Sequence, residues 1–227
     1  MELTLSDFGY FKVYQPKSGY HFSSEPFVLT CDLEFSYPKV FVDFGSGCGI
    51  IAVVLALKNP ASFVYAVERC EDYLEVIEKN FIINGIKNAK AVKSEGDVPT
   101  NSVDFFLSNP PYFITEKYRV SQRYRLEKFE VEPISSVVGI AKRVLVNKGV
   151  LRVSFHPTRI LELVEALKFN SFGLKYITAV HGSPKKSASF LMVEAKLASR
   201  DFVIFKPPLF LDKFNPVAEC GKATFEK

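Results

Sequence analysis

The stretch that decides the fold is residues 40–49, which read VFVDFGSGCG. Its first half consists mainly of the β-branched and aromatic residues typical of a strand. Its second half has glycine at alternate positions, Gly45, Gly47 and Gly49, and leads directly into the apolar run from Ile50 to Lys58, which has helical spacing. Such glycines allow a tight turn and let a ligand lie against bare main chain at a helix N-terminus. The stretch therefore predicts a βα unit with a binding loop.

Strand-like and helix-like segments alternate on both sides of this loop, which is typical of βαβ units and a mostly parallel sheet. We predict strands at Val40 to Phe44, Phe63 to Val67, Ala89 to Lys93, Val103 to Ser108 and Val150 to Phe155. Between them we predict helices at Ile50 to Lys58, Glu71 to Ile83, Ser135 to Val146 and Thr158 to Lys168. Two last strands, Leu174 to Ala179 and Phe190 to Leu197, are joined too closely for a crossover helix and are expected to be antiparallel.

The composition is that of a folded chain of 227 residues, with 48% apolar and 24% charged residues. No apolar run approaches the roughly 18 residues that span a bilayer, and the N-terminus has no basic cluster ahead of an apolar stretch, so membrane insertion and secretion are not expected. The four cysteines show no CxxC spacing, which fits a reducing, cytoplasmic location. A net charge of +4 permits a polyanionic partner without requiring one.

The glycine spacing distinguishes between nucleotide cofactors. A dinucleotide fingerprint would need glycine at position 50, where Ile50 stands. Glu68 follows at the end of the second predicted strand, where a carboxylate can accept hydrogen bonds from both ribose hydroxyls. With Asp43 ahead of the glycines, the loop resembles motif I of the class I S-adenosylmethionine-dependent methyltransferases. The resemblance implies that cofactor and a Rossmann-like α/β fold, with a seven-stranded mostly parallel sheet, helices on both faces and an antiparallel last strand.

Two further residues near the loop have alternative interpretations. The same resemblance implies that Asp97, after the third strand, holds the adenine amino group, although a solvated acidic loop explains it equally well. Cys48 lies inside the loop, but no histidine is close to it in sequence, so we interpret it as a small filler and not as a nucleophile.

The candidate for the reaction site is the tetrapeptide Asn109-Pro110-Pro111-Tyr112. It follows the fourth predicted strand, at the sheet edge where open α/β folds bind ligands. The Asn109 amide oxygen and the Pro110 carbonyl can accept the two hydrogens of a planar amino group, while Tyr112 stacks above it. Asn109 is also a candidate for contacting the cofactor. The tetrapeptide is similar to motif IV of the methyltransferases that modify adenine N6, guanine N2 or glutamine nitrogen.

The N-terminal segment indicates which of these methyltransferases the chain resembles most. Its Gln-Pro-Lys-x-Gly-Tyr-x-Phe pattern, from Gln15 to Phe22, is similar to the start of the bacterial tRNA1(Val) (adenine-37-N6)-methyltransferase family. The similarity continues through Asn80 and Asn84. In that family the early segment folds over the cofactor pocket, which implies that Gln15 and Phe22 line it; a hairpin packed on the sheet edge is the alternative. The expected organisation is an N-terminal segment at 1–38, a methyltransferase domain at 39–205 and an irregular tail at 206–227.

Basic residues beside the predicted pocket favour an RNA partner. They are Lys117, Arg119, Arg123, Arg125 and Lys128, with Lys185 and Lys186 on the last connection. A solvated charged face is the alternative. The three histidines have no spacing suited to a metal, so no metal is expected.

The sequence thus predicts an enzyme that methylates N6 of an adenine in tRNA, with position 37 implied by the resemblance. The open alternatives are rRNA guanine N2, DNA adenine N6 or protein glutamine N5 as the methyl acceptor, or a non-catalytic cofactor-binding protein. The oligomeric state is not predicted.

Overall fold

The computed structural model describes residues 1–18, 21–110 and 133–215. The strands are β1 (Leu3–Asp7), β2 (Lys12–Pro16), β3 (Val40–Phe44), β4 (Phe63–Val67), β5 (Ala89–Val92), β6 (Val103–Ser108), β7 (Leu145–Phe155), β8 (Phe172–His181), β9 (Ala188–Leu197), β10 (Ile204–Phe205) and β11 (Leu209–Phe210). The helices are α1 (Glu25–Thr30), α2 (Ile50–Lys58), α3 (Glu71–Ile83), α4 (Ile134–Val144) and α5 (Ile160–Phe169), with 3₁₀ turns at Glu95–Asp97 and Pro157–Arg159.

The central sheet has the strand order β10-β8-β9-β7-β6-β3-β4-β5, and β11 also pairs with β8. Only β9 runs antiparallel to its neighbours among these strands. The expected mostly parallel sheet is therefore confirmed, and β9, the last of the seven predicted strands, is antiparallel as expected. The sheet has nine strands and not seven, because the short β10 and β11 of the later chain pair with β8. After β3 the chain builds β4 and β5 on one side and then returns to place β6 on the other. The carboxyl ends of β3 and β6 consequently flank the switch point at which open α/β sheets bind ligands.

Both faces of the sheet are covered, and β3 shows how its sequence meets that requirement. Phe41 is fully buried in the layer that contains α1, α2 and α3, whereas the next residue, Val42, is buried in the layer that contains α4 and α5. Successive side chains of a strand point to opposite faces, so a strand buried on both sides must be apolar throughout. The helix α2 is buried at every position except Leu57, which fits its nearly unbroken apolar sequence.

Several boundaries differ from the sequence-based expectations by one or two residues, and the largest difference is where α4 meets β7. The helix expected to end at Val146 ends at Val144, because Leu145 turns to extended dihedral angles (φ −68°, ψ 140°) and starts β7. This strand is therefore five residues longer at its start than the predicted Val150 to Phe155. In the tail, Leu209 and Phe210 pair with the end of β8. At the other end of the chain, β1 and β2 form an antiparallel hairpin. The domain boundaries remain a prediction.

Candidate active site at the switch point

The glycine loop joins β3 to α2 in a conformation that favours glycine. Gly45, Gly47 and Gly49 have φ angles of +71°, +56° and +82°, a region in which residues with a Cβ are strained. A Cβ added to Gly45 or Gly47 would meet no atom within 4 Å, so the loop is open above these two residues. A Cβ on Gly49 would lie 3.1 Å from Cγ1 of Ile77 on α3. The first two glycines thus leave space for a ligand, and the third permits close helix packing.

The end of β4 holds this loop. Glu68 accepts hydrogen bonds from the backbone N–H of Gly47 through Oε2 and from that of Cys70 through Oε1, each at 2.9 Å. The Val67 carbonyl accepts from the N–H groups of Gly45 and Ser46, each at 3.0 Å. A carboxylate has about four acceptor sites, so the half-buried Glu68 still has lone pairs available. Its two oxygens are fixed beside the open loop and could accept from a pair of neighbouring hydroxyls.

Asp43 supports the loop from within the sheet. Its fully buried Oδ2 accepts from the Ser46 hydroxyl at 2.5 Å and from the Ala52 N–H at 3.1 Å. Oδ1 is also buried and has no hydrogen-bond partner among the described residues. Burial raises the pKa of Asp43 to about 7, against the lowering effect of these two hydrogen bonds. A donor or cationic group of a ligand near this carboxyl would favour its charged form.

Asn109 lies beside the glycine loop because of strand register. Phe44 of β3 pairs with Ser108 of β6, and the Ser108 hydroxyl donates to the Phe44 carbonyl at 2.9 Å. The next residues, Gly45 and Asn109, therefore leave neighbouring strands at the same edge. The Asn109 Oδ1 accepts a hydrogen bond from the hydroxyl of Ser154, which is fully buried on β7. An amide oxygen has two lone pairs, so Oδ1 can accept one further hydrogen bond.

The other candidates differ in what surrounds them. Buried Gln15 donates from Nε2 to the Ser6 hydroxyl at 2.9 Å, and its Oε1 is buried with no partner among the described residues. The Phe22 ring packs between Phe8 and Phe27, with centroids 6.0 Å from each. A cofactor contact by either residue remains a prediction, and so does the function expected of Asn109.

Asp97 and Cys48 have local explanations. The Asp97 Oδ2 accepts from the Ser94 N–H at 3.1 Å and completes a capping box on the 3₁₀ turn after β5. Its contact with adenine remains a prediction. Cys48 is buried in the loop, and burial raises the pKa of its thiol to about 12. The thiol is therefore protonated at neutral pH, which agrees with a filler and not with an activated nucleophile.

The basic candidates are only partly covered by the structure. Lys185 and Lys186 are exposed on the connection between β8 and β9. Since β8 runs parallel to β7, this connection is at the same edge of the sheet as Asn109. The remaining candidates lie outside the described residues: Pro111, Tyr112, Lys117, Arg119, Arg123, Arg125 and Lys128.

Residues 1–18, 21–110 and 133–215 contain no group of three or more acidic, histidine or cysteine side chains arranged to hold a metal ion. In those same residues, no helix has both the length and the apolar character that crossing a membrane requires.

Two residues of this site could be found from the sequence only indirectly. Ser154 is a polar residue near the carboxyl end of a buried strand, but no sequence rule pairs it with Asn109. Asn80 contributes to the resemblance described above, yet its side chain proves to contact the glycine loop through the Cys48 carbonyl at 2.8 Å.

The groups at the glycine loop fit S-adenosylmethionine. The open backbone above Gly45 and Gly47 gives room for the ligand. The Glu68 carboxylate suits ribose hydroxyls, and the unpaired Asp43 Oδ1 suits an amino group at the same loop.

Comparisons with known proteins agree. The sequence profile of the methyltransferase small domain family matches residues 26–156. The tRNA1(Val) (adenine(37)-N6)-methyltransferase of Aliivibrio salmonicida is 28% identical over 165 residues, which are 70% of this chain and 70% of the relative. The protein of the same name from Flavobacterium johnsoniae is 29% identical over 164 residues, 66% of this chain and 67% of the relative.

Solved structures show the same fold. A predicted O-methyltransferase from Agrobacterium tumefaciens superposes with a TM-score of 0.69 at 19% identity, over 82% of this chain and 87% of that chain. M. jannaschii TYW2, solved in complex with AdoMet, superposes with a TM-score of 0.60 at 15% identity, over 86% of this chain and 85% of that chain. With the glycine loop and the family profile, these findings make the chain a member of the methyltransferase small domain family and an S-adenosylmethionine-dependent methyltransferase.

Proposed function

We propose that this chain methylates the exocyclic N6 amino group of an adenine in tRNA, at position 37. The observation that carries the proposal is the register of β3 and β6, because it puts the glycine loop and Asn109 on neighbouring strand ends. A methyl donor bound at the glycine loop would therefore be adjacent to an amino group bound at Asn109. The names of the bacterial relatives support adenine 37 as the acceptor.

The residues at this edge suggest how the transfer proceeds. The bound cofactor would supply an electrophilic methyl group on a sulfonium. The second lone pair of Asn109 Oδ1 and the carbonyl of Pro110 would accept the two amino hydrogens and turn the nitrogen lone pair toward the methyl. The Ser154 hydroxyl would hold the amide plane in place. The proton can leave after transfer, so no side chain is needed as a base beforehand.

RNA binding rests on the positive charges around the site. Lys185 and Lys186 at the carboxyl edge could neutralise phosphates near the acceptor base. The basic stretch from Lys117 to Lys128, which lies outside the described residues, is proposed to bind RNA as well. Neutralising Lys185 and Lys186 together should weaken tRNA binding and flatten its dependence on salt.

The experiment is methylation of an unmodified tRNA transcript with labelled cofactor, followed by mass spectrometry of the nucleosides. The proposal expects N6-methyladenosine at position 37 and no product from a transcript with guanosine there. Asn109→Ala is the protein control, since it removes the proposed acceptor of the amino hydrogens and should form the product about 10²-fold more slowly. Label at another base, or in guanosine, would contradict the proposal.

Protein glutamine is the second candidate acceptor, because release factor glutamine methyltransferases also match. The Chlorobaculum tepidum protein is 29% identical over 131 residues, although these are only 51% of this chain and 45% of that protein. Incubation with a release factor and labelled cofactor distinguishes the two acceptors. Label in the release factor and none in tRNA would show that the methyl acceptor is a protein glutamine and not adenine.

A further inference from the structure

One side chain of α3 contacts both the N-terminal hairpin and the glycine loop. Asn80 is fully buried in the last turn of the helix. Its Oδ1 accepts from the Tyr14 N–H at 2.7 Å, and its Nδ2 donates to the Tyr14 carbonyl at 2.9 Å and to the Cys48 carbonyl at 2.8 Å. The same amide therefore binds both the backbone N–H and the carbonyl of one β2 residue, and also a carbonyl of the loop that precedes α2.

Asn84, one helical turn later, repeats the first half of this arrangement without the second. Its Oδ1 accepts from the Lys12 N–H at 2.9 Å, and its Nδ2 donates to the Lys12 carbonyl at 2.6 Å and to the Asn80 carbonyl at 2.7 Å. Residues four apart on a helix are separated by about 6 Å along its axis. Alternate strand residues are about 6.6 Å apart. The two asparagines therefore match the spacing of Lys12 and Tyr14.

The two contacts of Asn80 depend on each other. Its amide uses both donors and one of its two acceptor sites. A buried amide without its partners is costly, so the side chain favours the state in which hairpin and loop are both in place. Cys48 lies between Gly47, whose N–H is bound by Glu68, and Gly49, which packs on Ile77. Asn80 thus restrains the loop at Cys48, the residue after the one that Glu68 binds.

We propose that Asn80 is a positioning residue for the cofactor, because it couples docking of the hairpin at residues 3–16 to the conformation of the glycine loop. The docked hairpin brings Gln15 with it, next to the residue that Asn80 binds. The proposal rests on the assignment of the glycine loop to S-adenosylmethionine. It predicts that loss of the Asn80 contacts weakens cofactor binding even when the hairpin is still held by Asn84.

The test is calorimetric titration of S-adenosylmethionine into the full chain and its variants. Asn80→Asp keeps the acceptor for Tyr14 and removes both donors, and Asn80→Ala removes the whole contact. Asn84→Asp is the matched control, since it makes the same change one turn away without touching the loop. We expect both Asn80 variants to weaken binding by about tenfold or more and the control by less than about threefold. Thermal unfolding of each variant confirms that it is folded during the titration.

Amide hydrogen exchange in the wild-type chain tests the proposal if the Asn80 variants do not fold. Adding S-adenosylmethionine should slow exchange of the Tyr14 amide more than that of the Lys12 amide, because only Tyr14 shares its partner with the loop. Wild-type affinity in Asn80→Ala, equal losses in the Asn80 and Asn84 variants, or unchanged Tyr14 exchange would each overturn the proposal. Glu68→Ala tests separately whether the glycine loop binds S-adenosylmethionine. Wild-type affinity in that variant would contradict this assignment, on which the proposal for Asn80 rests.

Discussion

Two polar clusters in this molecule, each with buried members, are built in opposite ways. The loop cluster, made of Asp43, Ser46, Glu68 and Asn80, uses side chains to bind backbone groups around the glycine loop. The ion cluster lies between α1, the sheet and the tail, and it pairs charged side chains with one another. Its members are Arg152, Asp32, Glu194 and Lys206.

The two clusters differ in whether their polar groups find partners within the protein, and this difference distinguishes a ligand-binding cluster from one that stabilises the fold. In the loop cluster, Glu68 still has free acceptor sites and Asp43 Oδ1 has no partner among the described residues, so the cluster is incomplete without a ligand. In the ion cluster two cations face two carboxylates, and Arg152 also donates to the Leu29 carbonyl at 3.1 Å. The charges of this cluster are thus paired within the fold, although Nε of Arg152 is buried without a hydrogen-bond partner among the described residues. We therefore expect changes in the first cluster to affect cofactor binding and changes in the second to affect folding.

The largest expected effect comes from Arg152, whose side chain is 3% exposed. Arg152→Met would leave the Glu194 carboxylate, which is 12% exposed, with Lys206 as its remaining ion-pair partner. Breaking a buried pair on one side costs about 3–5 kcal/mol. The free energy of unfolding, measured in urea, should fall by that order, while cofactor affinity in the folded variant should be unchanged.

The control for this cluster is Lys206→Met. Lys206 is 31% exposed and bonds Glu194 at 3.0 Å, so its loss should cost only about 1 kcal/mol or less. If Arg152→Met weakened the cofactor as much as it weakened the fold, the separation of binding from architecture would be wrong.

The next largest effect is expected at Asn109. Asn109→Ala removes the acceptor proposed for the amino hydrogens, and single-turnover methylation should slow about 10²-fold while cofactor and tRNA still bind. Ser154→Ala should slow the same step less, because it only frees the amide that the hydroxyl orients. Ser108→Ala is the matched control: its hydroxyl bonds the Phe44 carbonyl instead. Full single-turnover rates in Asn109→Ala would refute the mechanism.

Glu68 is expected to have a more moderate effect, on binding alone. Glu68→Ala removes two hydrogen bonds to the proposed ribose hydroxyls and also the contact that restrains Gly47. Calorimetry should show cofactor binding at least about tenfold weaker, with stability changed much less than in Arg152→Met. The cofactor affinity of Asp97→Ala is a useful comparison with that of Glu68→Ala, since the Asp97 carboxylate already caps a 3₁₀ turn. Equal affinity of wild type and Glu68→Ala would contradict the assignment of Glu68 and the glycine loop to the cofactor.

How much the sequence could predict differs between these clusters. The βα unit of the loop is local, and periodicity with the glycine spacing predicted β3, α2, β4 and α3 with the bounds that the structure has. The predicted start of β7 at Val150 is five residues after the observed start at Leu145. Residues 145–149 include polar residues and a glycine, which weaken the strand pattern. Contacts such as Arg152 with Asp32, which are 120 positions apart, leave no periodic signal.

The site shows the same limit. Asn109 and Glu68 were predicted from motifs whose residues are close in sequence, whereas Ser154 is 45 positions from Asn109 and Asn80 is 66 from Tyr14. Their contacts arise only from the order in which the strands and α3 are packed.

The last effect is spread over several pH units: it is the dependence of stability on pH, in which the two clusters should differ in sign. Burial raises the pKa of Asp43 from 3.8 to about 7, so between these values the folded chain holds a proton that the unfolded chain has lost. Stability should therefore fall as pH rises through this window, by at most about 1.4 kcal/mol per pH unit. For Asp32, burial acts against the charged form, but Arg152 outweighs it and lowers the pKa. Its contribution is present at neutral pH and is lost as pH falls below its unfolded value of 3.8. Urea unfolding of wild type, Asp43→Asn and Asp32→Asn across this range isolates the pH dependence that each carboxyl adds to the free energy of unfolding. The pH dependence due to Asp43 should disappear when the cofactor is bound, because a donor group of the ligand would then favour the carboxylate. If it persists, the ligand lies away from Asp43.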